Sequence, residues 1–592
     1  MDKIKMIQKK LTQLQIDAYI VPTSDDHNSE YISDYYKTRA FLTGFTGSAG
    51  TLLITPKKAY LWVDGRYHIQ AAKQIDGKNI TLMKQGLPTV LSLEQYLSST
   101  LKANSVIAFD GKVMATSFVN SLKKKNPGFV IQSDKDLISD LWKDRPSLPF
   151  SFLYRLEEFF SGKSYQDKLL AIRQKMKEYH ANTHILSSLE DQAWLYNLRA
   201  NDIPHTPVFL AFTIITQEEC HLFIDPKKID TIVEKYLKEN EIILHNYEEF
   251  YTYLSTIKNN QILINLNKAN YAIYSLIASS NTLIQQEDPS LLMKSIKNDR
   301  EIENTVLAHV KDGVAFTKLM YYVKKNISKK STLSELSVTK LLQEYRQKQD
   351  GFVDISFDTI CAYKDHGAMM HYSATEDSNY RLEPNDFLLI DSGGHYLEGT
   401  TDITRTLALG EITDIQKLHF TTVLKSVIAL SEAIFLRGVK GINLDILARG
   451  PIWKQFIDYK CGTGHGVGHL LSVHEAPNGF RWQIVPERND SHEFIPGMIT
   501  TNEPGIYLEN KYGIRIENEM ICVPKGKSEF GEFLGFATIT YAPIDLDAID
   551  VNLLNQEEKN WLNQYHNKVY LLLSPYLDEE EQEWLKQYTR EI

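Results

Sequence analysis

Cysteine is scarce in this sequence. The four thiols, Cys220, Cys361, Cys461 and Cys522, are spread over 592 residues and form no C-x-x-C pair. That spacing offers no zinc-finger cluster, and it suits a reducing compartment better than a disulfide framework. No stretch reaches the ~20 apolar residues that a membrane span needs. The opening Met1-Asp2-Lys3-Ile4-Lys5-Met6 leads into a charged amphipathic helix with Ile4, Met6, Ile7, Leu11 and Leu14 as its apolar positions. It lacks the apolar core of a signal peptide. Positive charge is short as well: Lys and Arg total 65 against 75 for Asp and Glu, a formal net charge of −10. Nucleic acid and anionic membranes both want a basic face, so neither is expected as a partner. The expectation is a cytoplasmic globular protein.

At 592 residues the chain is too long for one core, and roughly 100–200 residues per domain imply three or four units. Residues 1–145 alternate helical and strand patterns. Buried strands are expected at Ala18-Tyr19-Ile20-Val21, Gly50-Thr51-Leu52-Leu53-Ile54 and Ala59-Tyr60-Leu61-Trp62-Val63, and strands interleaved with helices read as an α/β domain. Pro146 and Pro149 mark a connection. A helix near 164–180, a strand at His184-Ile185-Leu186 and another at Pro207-Val208-Phe209-Leu210-Ala211-Phe212 restart the pattern. They define a second α/β domain over 146–288, with no residue-level repeat linking it to the first. A third domain, 289–592, opens on a long helix from Asp299 with Ile302, Val306, Leu307, Val310, Val314 and Leu319 near the 3.6 period. It reads as rich in strands and hairpins to about 545 and ends in a polar helical tail with Trp561 and Trp584.

The chemistry-bearing side chains fall in that third domain. The apolar run Phe387-Leu388-Leu389-Ile390 ends on Asp391, and Asp402 opens another strand across a Gly-rich turn. A buried aspartate without a partner is costly, and two facing across a hairpin repel unless a cation sits between them. For this pair alone, a metal site and a solvated hairpin end are equally open. The run Cys461-Gly462-Thr463-Gly464-His465-Gly466-Val467-Gly468-His469 surrounds His465 with glycines, letting backbone approach a site and leaving the imidazole unscreened. It has neither the Lys-Ser/Thr ending nor the G-x-G-x-x-G spacing of a phosphate loop. Ile499-Thr500-Thr501-Asn502-Glu503-Pro504-Gly505 and Gly513-Ile514-Arg515-Ile516-Glu517-Asn518 follow, with Glu517 read as a strand position on the face of Arg515. Together Asp391, Asp402, His465, Glu503 and Glu517 supply four carboxylates and one imidazole. Such oxygen-rich ligation favours Mn²⁺ or Co²⁺ over structural zinc. Four carboxylates are too many for one ion and suit a pair about 3.5–4 Å apart.

These residues resemble the metal site of the pita-bread metallopeptidases, the family of methionine aminopeptidase, prolidase and aminopeptidase P. Met370-His371-Tyr372 and Ser472-Val473-His474-Glu475 resemble the family's two substrate-facing histidine motifs. Ser29-Glu30-Tyr31-Ile32, Gly44-Phe45-Thr46-Gly47-Ser48-Ala49-Gly50, Asp64-Gly65-Arg66-Tyr67 and Asn197-Leu198-Arg199-Ala200-Asn201-Asp202-Ile203-Pro204-His205 resemble the long, three-domain aminopeptidase P branch. The resemblance covers essentially the whole chain. It implies two creatinase-like α/β domains before a pita-bread catalytic domain with a curved antiparallel sheet. It implies hydrolysis of the N-terminal Xaa-Pro bond of peptides by a homodimer, with two divalent ions, Mn²⁺ ahead of Co²⁺ or Zn²⁺. Asp391 would bind one ion, Asp402 and Glu517 would bridge the pair, and His465 and Glu503 would complete the second. Glu503, or a carboxylate beside it, would shuttle the proton of the attacking water. His371 and His474 would hydrogen-bond the substrate and steady the oxyanion.

One position departs from that pattern: Cys461 stands where the Xaa-Pro peptidases usually carry histidine. His469 reads as a satisfied or exposed histidine, and 477–496 as a surface loop. Asp64 and Arg66 read as an ion pair closing a turn, or as groups reaching a partner subunit's cleft. Arg405 and Arg515 either orient metal carboxylates or lie on strand surfaces. Two competing functions stand beside the first: a dipeptide-restricted prolidase, which usually has one N-terminal domain, and a non-catalytic peptide-binding module on the same fold.

Overall fold

A computed structural model describes residues 2–485 and 488–592. The chain divides into two compact units, Met1–Leu156 with Lys163–Leu291, and Glu157–Gly162 with Leu292–Ile592.

The first unit holds two six-stranded sheets. One runs Ile80–Lys84, Ala59–Val63, Thr51–Ile54, Ala18–Pro22, Val106–Ala108, Val130–Gln132. The other runs Ile243–His245, Cys220–Ile224, Ala211–Thr216, Thr183–Leu186, Gln261–Ile264, Thr282–Gln285. Chain order across the sheet and the direction of every pairing coincide, with two antiparallel steps flanked by parallel ones. The second α/β architecture is therefore a structural copy of the first. Burial and direction specify such a sheet, and many apolar sequences satisfy both. The run from Pro207 enters its ladder only at Ala211. In the opening helix Lys3–Leu14, Ile4, Ile7 and Leu11 are buried, whereas Met6 and Leu14 face solvent.

In the second unit the helix Asp299–Asn326 starts at a capping box between Asn298 and Glu301. It buries Val310, Val314 and Leu319, but Leu307 is 42% exposed and faces water. The region expected to be strands and hairpins up to 545 also contains long helices, among them Asp414–Ser431 and Gly441–Trp453. The first is buried nearly all round, from Phe420 and Thr421 to Val427 and Leu430, which erases the amphipathic period. The second carries Pro451 inside it. Part of the expected 477–496 loop is strand Glu475–Phe480, with Phe480 and Phe494 in a core cluster; residues 486 and 487 lie outside the described residues.

Two antiparallel sheets position the site. One orders Ile360–Tyr363, Phe387–Ser392, Ile403–Ala408; the other orders Ile434–Leu436, Gly531–Thr538, Asn518–Ser528, Ile499–Asn502, Gly464–Gly466, Glu475–Phe480. Helices Gln556–Leu573 and Glu579–Tyr588 close the unit, burying Leu562, Val569, Leu573 and Leu585 in the same core as Phe387 and Phe420. Arg405 ties that tail to both sheets. Its buried guanidinium donates to the carbonyls of Glu517 (2.6 Å), Ala542 (3.0 Å) and Pro543 (3.1 Å), to Asn518 Oδ1 (2.8 Å) and to Tyr565 OH (2.7 Å). Each buried acceptor left bare costs about 1–3 kcal/mol, so Arg405→Met should lower stability by about 3–5 kcal/mol. Urea unfolding followed by circular dichroism checks this; an unshifted midpoint would mean that apolar packing alone holds the tail.

Candidate metal centre

Strand register brings the acidic residues together. Asp391 pairs with Thr404 and Ser392 with Ile403, so Asp402, the residue before Ile403, lies at the Asp391 end of that ladder. In the other sheet Asn502 pairs with Asn518. Glu503 follows the first of these and Glu517 precedes the second, so both leave the ladder at the same end. His465 sits in the adjoining strand, where Gly466 pairs with Thr500, and its backbone N–H donates to Thr501 Oγ1 at 3.1 Å. The two sheets are stitched at this point by Glu517 N–H to Thr404 O (3.1 Å) and Asp402 N–H to Glu519 Oε1 (2.6 Å).

One ligand atom from each of Asp402, His465 and Glu517 lies within 4.8 Å of the others. His465 Nε2 is 3.5 Å from Asp402 Oδ2 and 3.4 Å from Glu503 Oε1. Its Nδ1 is 2.9 Å from the carbonyl of Gly466. A carbonyl only accepts, so Nδ1 carries the proton and the Nε2 lone pair faces the carboxylates. Asp391 is ion-paired with Arg515 Nη2, and the same guanidinium donates to Tyr507 OH (2.7 Å) and Thr404 Oγ1 (3.0 Å). The Thr404 hydroxyl donates in turn to Glu517 Oε2 at 2.6 Å.

The electrostatics call for cations. Burial, followed by the charges of Asp391 and Glu503, holds the Asp402 carboxyl well above the usual carboxylate range. Burial and the charges of Asp402 and Glu503 do the same to Glu517. Asp391 Oδ1 and Asp402 Oδ1 are buried and have no hydrogen-bond partner among the described residues. Bare carboxylate oxygens in a buried acidic cluster with one imidazole lone pair facing them fit divalent ions. Asp391, Asp402, His465, Glu503 and Glu517 are the residues that would hold them.

Some features differ from the sequence-based picture and others match it. Glu517 is not a strand residue: the ladder strands are Tyr512–Arg515 and Asn518–Ser528, with Glu517 in the break between them and only 1% exposed. The glycines flanking His465 serve close approach to neighbouring strands rather than to the site; a Cβ on Gly464 would meet Thr501 O at 2.0 Å, and one on Gly466 would meet Glu475 O at 2.2 Å. His474 packs edge-on against the His465 ring, centroids 4.3 Å apart. His371 is half-buried beside Tyr372, whose ring packs on Ile360, Ala362 and Leu389 in the strands leading to Asp391. His469 is buried and lies 3.2 Å from Thr305 Oγ1 and 3.1 Å from Phe160 O. Asp64 and Arg66 form a bidentate pair at 2.9 and 2.8 Å. Cys461 is half-buried and its thiol is pushed up to about 12, chiefly by burial. The Glu519–His309 pair behind Asp402 (3.2 Å) escaped sequence reasoning; only Asp402 signals it, through a contact 117 residues away in the chain.

This fold and site define a class: creatinase/prolidase N-terminal domains ahead of a metallopeptidase domain. Residues 3–140 and 144–301 each match the creatinase/prolidase N-terminal domain, 303–524 the metallopeptidase family M24, and 532–592 the C-terminal region of that peptidase. The chain is 36% identical over 590 residues to a probable Xaa-Pro aminopeptidase P of Laccaria bicolor, covering 97% of this chain and 91% of that one. It is 35% identical to aminopeptidase P2 of Arabidopsis thaliana, covering 98% and 86%. It superimposes on the X-prolyl aminopeptidase of Caenorhabditis elegans, described as a cytosolic enzyme with a di-nuclear active site, with TM-score 0.94, 32% identity and 100% and 98% coverage. An Xaa-Pro dipeptidase from Bacillus anthracis gives TM-score 0.51 and 25% identity, covering 65% of this chain and 99% of its own. The chain belongs to the aminopeptidase P family of M24 metallopeptidases.

A pH-linked prediction follows from the raised carboxyls. Asp402 and Glu517 bind protons more tightly without metal than free carboxylates do. Loading Mn²⁺ should therefore release protons, and affinity should rise with pH. Calorimetric titration of metal-free protein in two buffers of different ionisation enthalpy measures the release; identical heats in both would remove the acidic cluster from metal binding.

Proposed function

We propose that this chain hydrolyses the N-terminal Xaa-Pro bond of peptides, releasing the first residue, with Asp391, Asp402, His465, Glu503 and Glu517 holding two divalent ions. The observation that carries the reading is the meeting of these five side chains at the ends of two stitched ladders. Whole-length likeness to Xaa-Pro aminopeptidases supports the substrate class. A bound pair of dications supplies a nucleophile from water at neutral pH and polarises the scissile carbonyl.

The protein's own groups do the rest. Glu503, the more exposed of the site's carboxylates, takes the proton of the attacking water and passes it to the leaving amine. His474, braced against His465, and His371 hydrogen-bond the substrate and the developing oxyanion. Proline at the second position makes the scissile bond a tertiary amide with no N–H. Recognition therefore rests on ring shape, not on a donor.

The finer assignments belong to the same proposal. The donor set supports Mn²⁺ ahead of Co²⁺ or Zn²⁺. The protein works as a homodimer in the cytoplasm; among the described residues no helix is long and apolar enough to cross a membrane. The domains are 1–145, 146–288 and 289–592, a division supported by two matching sheets in the first unit. A dipeptidase reading draws on the Bacillus anthracis likeness, which extends over only 65% of the chain.

A panel of Xaa-Pro-Yaa and Xaa-Ala-Yaa peptides, assayed with Mn²⁺, Co²⁺ and Zn²⁺, tests this. Release of the first residue from Xaa-Pro-Pro is expected, with the Pro series favoured and Mn²⁺ giving the highest rate. Equal cleavage of both series would remove proline specificity, and turnover of dipeptides alone would make the protein a prolidase.

A further inference from the structure

Glu335, the first residue of helix Glu335–Gln347, is fully buried and makes four hydrogen bonds along one loop. Its Oε1 accepts from Tyr363 N–H (2.8 Å) and lies 2.9 Å from His366 Nδ1. Its Oε2 accepts from Tyr372 OH (3.0 Å) and Tyr380 N–H (2.8 Å). The four partners span residues 363–380, the segment that carries His371. A carboxylate at a helix N-terminus is favoured by the helix dipole, and four donors to two oxygens satisfy it in full.

The loop is held in other ways as well. The His366 ring is sandwiched between Tyr372 and Tyr380, with centroids 4.3 and 3.7 Å away. Lys364, where the loop begins, has φ +53°, a left-handed conformation that a non-glycine residue keeps only when its surroundings enforce it. On the far side Gly367 lies against Gly513, so close that a Cβ on Gly513 would meet Gly367 O at 1.7 Å. That packing sets the loop beside strand Tyr512–Arg515, whose last residue grips Asp391.

From this geometry we propose that Glu335 is a positioning residue: it fixes the 363–380 loop so that His371 meets the substrate in a productive orientation. The inference rests on the reading of His371 as a substrate-facing group. Among the described residues, the side-chain bonds of Glu335 go to the 363–380 loop and not to the five residues that would hold the ions, so its effect passes through the loop that carries His371.

The test is a double-mutant cycle on the Mn²⁺-loaded full chain with an Xaa-Pro-Yaa peptide. Glu335→Gln keeps the size but leaves one acceptor oxygen where there were two. Its kcat should fall by roughly 10- to 100-fold, the usual cost of loosening a group that orients a catalytic side chain. Bound Mn²⁺ should stay at the wild-type level. In a His371→Ala background the same substitution should cost less than about 2-fold, because the group it positions is gone. Tyr372→Phe, which removes one donor to Glu335 along with the hydroxyl's contacts to Ser378 and leaves the carboxylate buried, should show a smaller kcat loss with the same dependence on His371; it carries the test if Glu335→Gln does not fold. Equal factors with and without His371, or wild-type kcat in both single variants, would overturn the positioning role alone. Full activity of His371→Ala would overturn the substrate-facing reading of that histidine and the inference with it.

Discussion

Four carboxylates gathered at one corner of two sheets repel one another, and the rest of the catalytic unit answers to that repulsion. Two unit charges 4 Å apart cost about 4 kcal/mol at an effective dielectric of 20. Several such pairs would consume the ~5–15 kcal/mol by which a folded protein exceeds its unfolded chain. The cluster persists because each carboxylate has its own restraint: Asp391 the Arg515 guanidinium, Glu517 the Thr404 hydroxyl, Glu503 the 3.3 Å bond from Thr501. Asp402 has its backbone tied to Glu519, while its own Oδ1 is left bare. That uneven satisfaction leaves the site acidic enough for dications without unfolding its surroundings.

The positive charge around the site is divided with the same economy. Arg515 spends one nitrogen on a site carboxylate, whereas Arg405 donates to carbonyl, amide and hydroxyl oxygens and so fixes the backbone of Glu517 and the side chain of Asn518 without bonding to a site carboxylate. Arg346 is taken up by Asp312 (2.7 Å) and Ser392 (3.1 Å), directly behind Asp391. Had Arg405 and Arg346 also faced the carboxylates, they would have filled the role that dications would otherwise fill. Their bonds to neutral groups and to a separate aspartate make the frame stiff and keep the centre negative.

Residue identities made the centre legible, and residue contacts hid its supports. Asp391 at the end of an apolar run and His465 among glycines stand out because each contradicts its local setting. The copied α/β sheets were visible as alternating strand and helix, since buried strands keep an apolar run whatever their exact residues. Glu517 looked like an ordinary alternating strand position because nothing local marks the break that buries it; Thr404, 113 residues away, does that. The helix Asp414–Ser431 was lost for the opposite reason: an element buried on every side has no polar face to betray its period. Glu335 gave no signal, since a glutamate in a first helical turn suits the helix dipole with or without a loop to hold.

Cys461 bears on what this centre can recognise. With its thiol pushed up to about 12, chiefly by burial, it puts no thiolate beside Glu503. It packs with Tyr507 against a core that includes Ile506 and Tyr459, a wall of apolar and aromatic surface. An imidazole there would supply a donor, and under acid a charge; the thiol supplies mainly shape. For a substrate whose scissile nitrogen has no hydrogen, that loss is small, because the proline ring has no N–H or charge for an imidazole to find. In the proposed reading, polar contact with the substrate then falls to His371 and His474. Cys461 thus changes the polarity of one wall of this corner and leaves in place the five residues that would hold the ions.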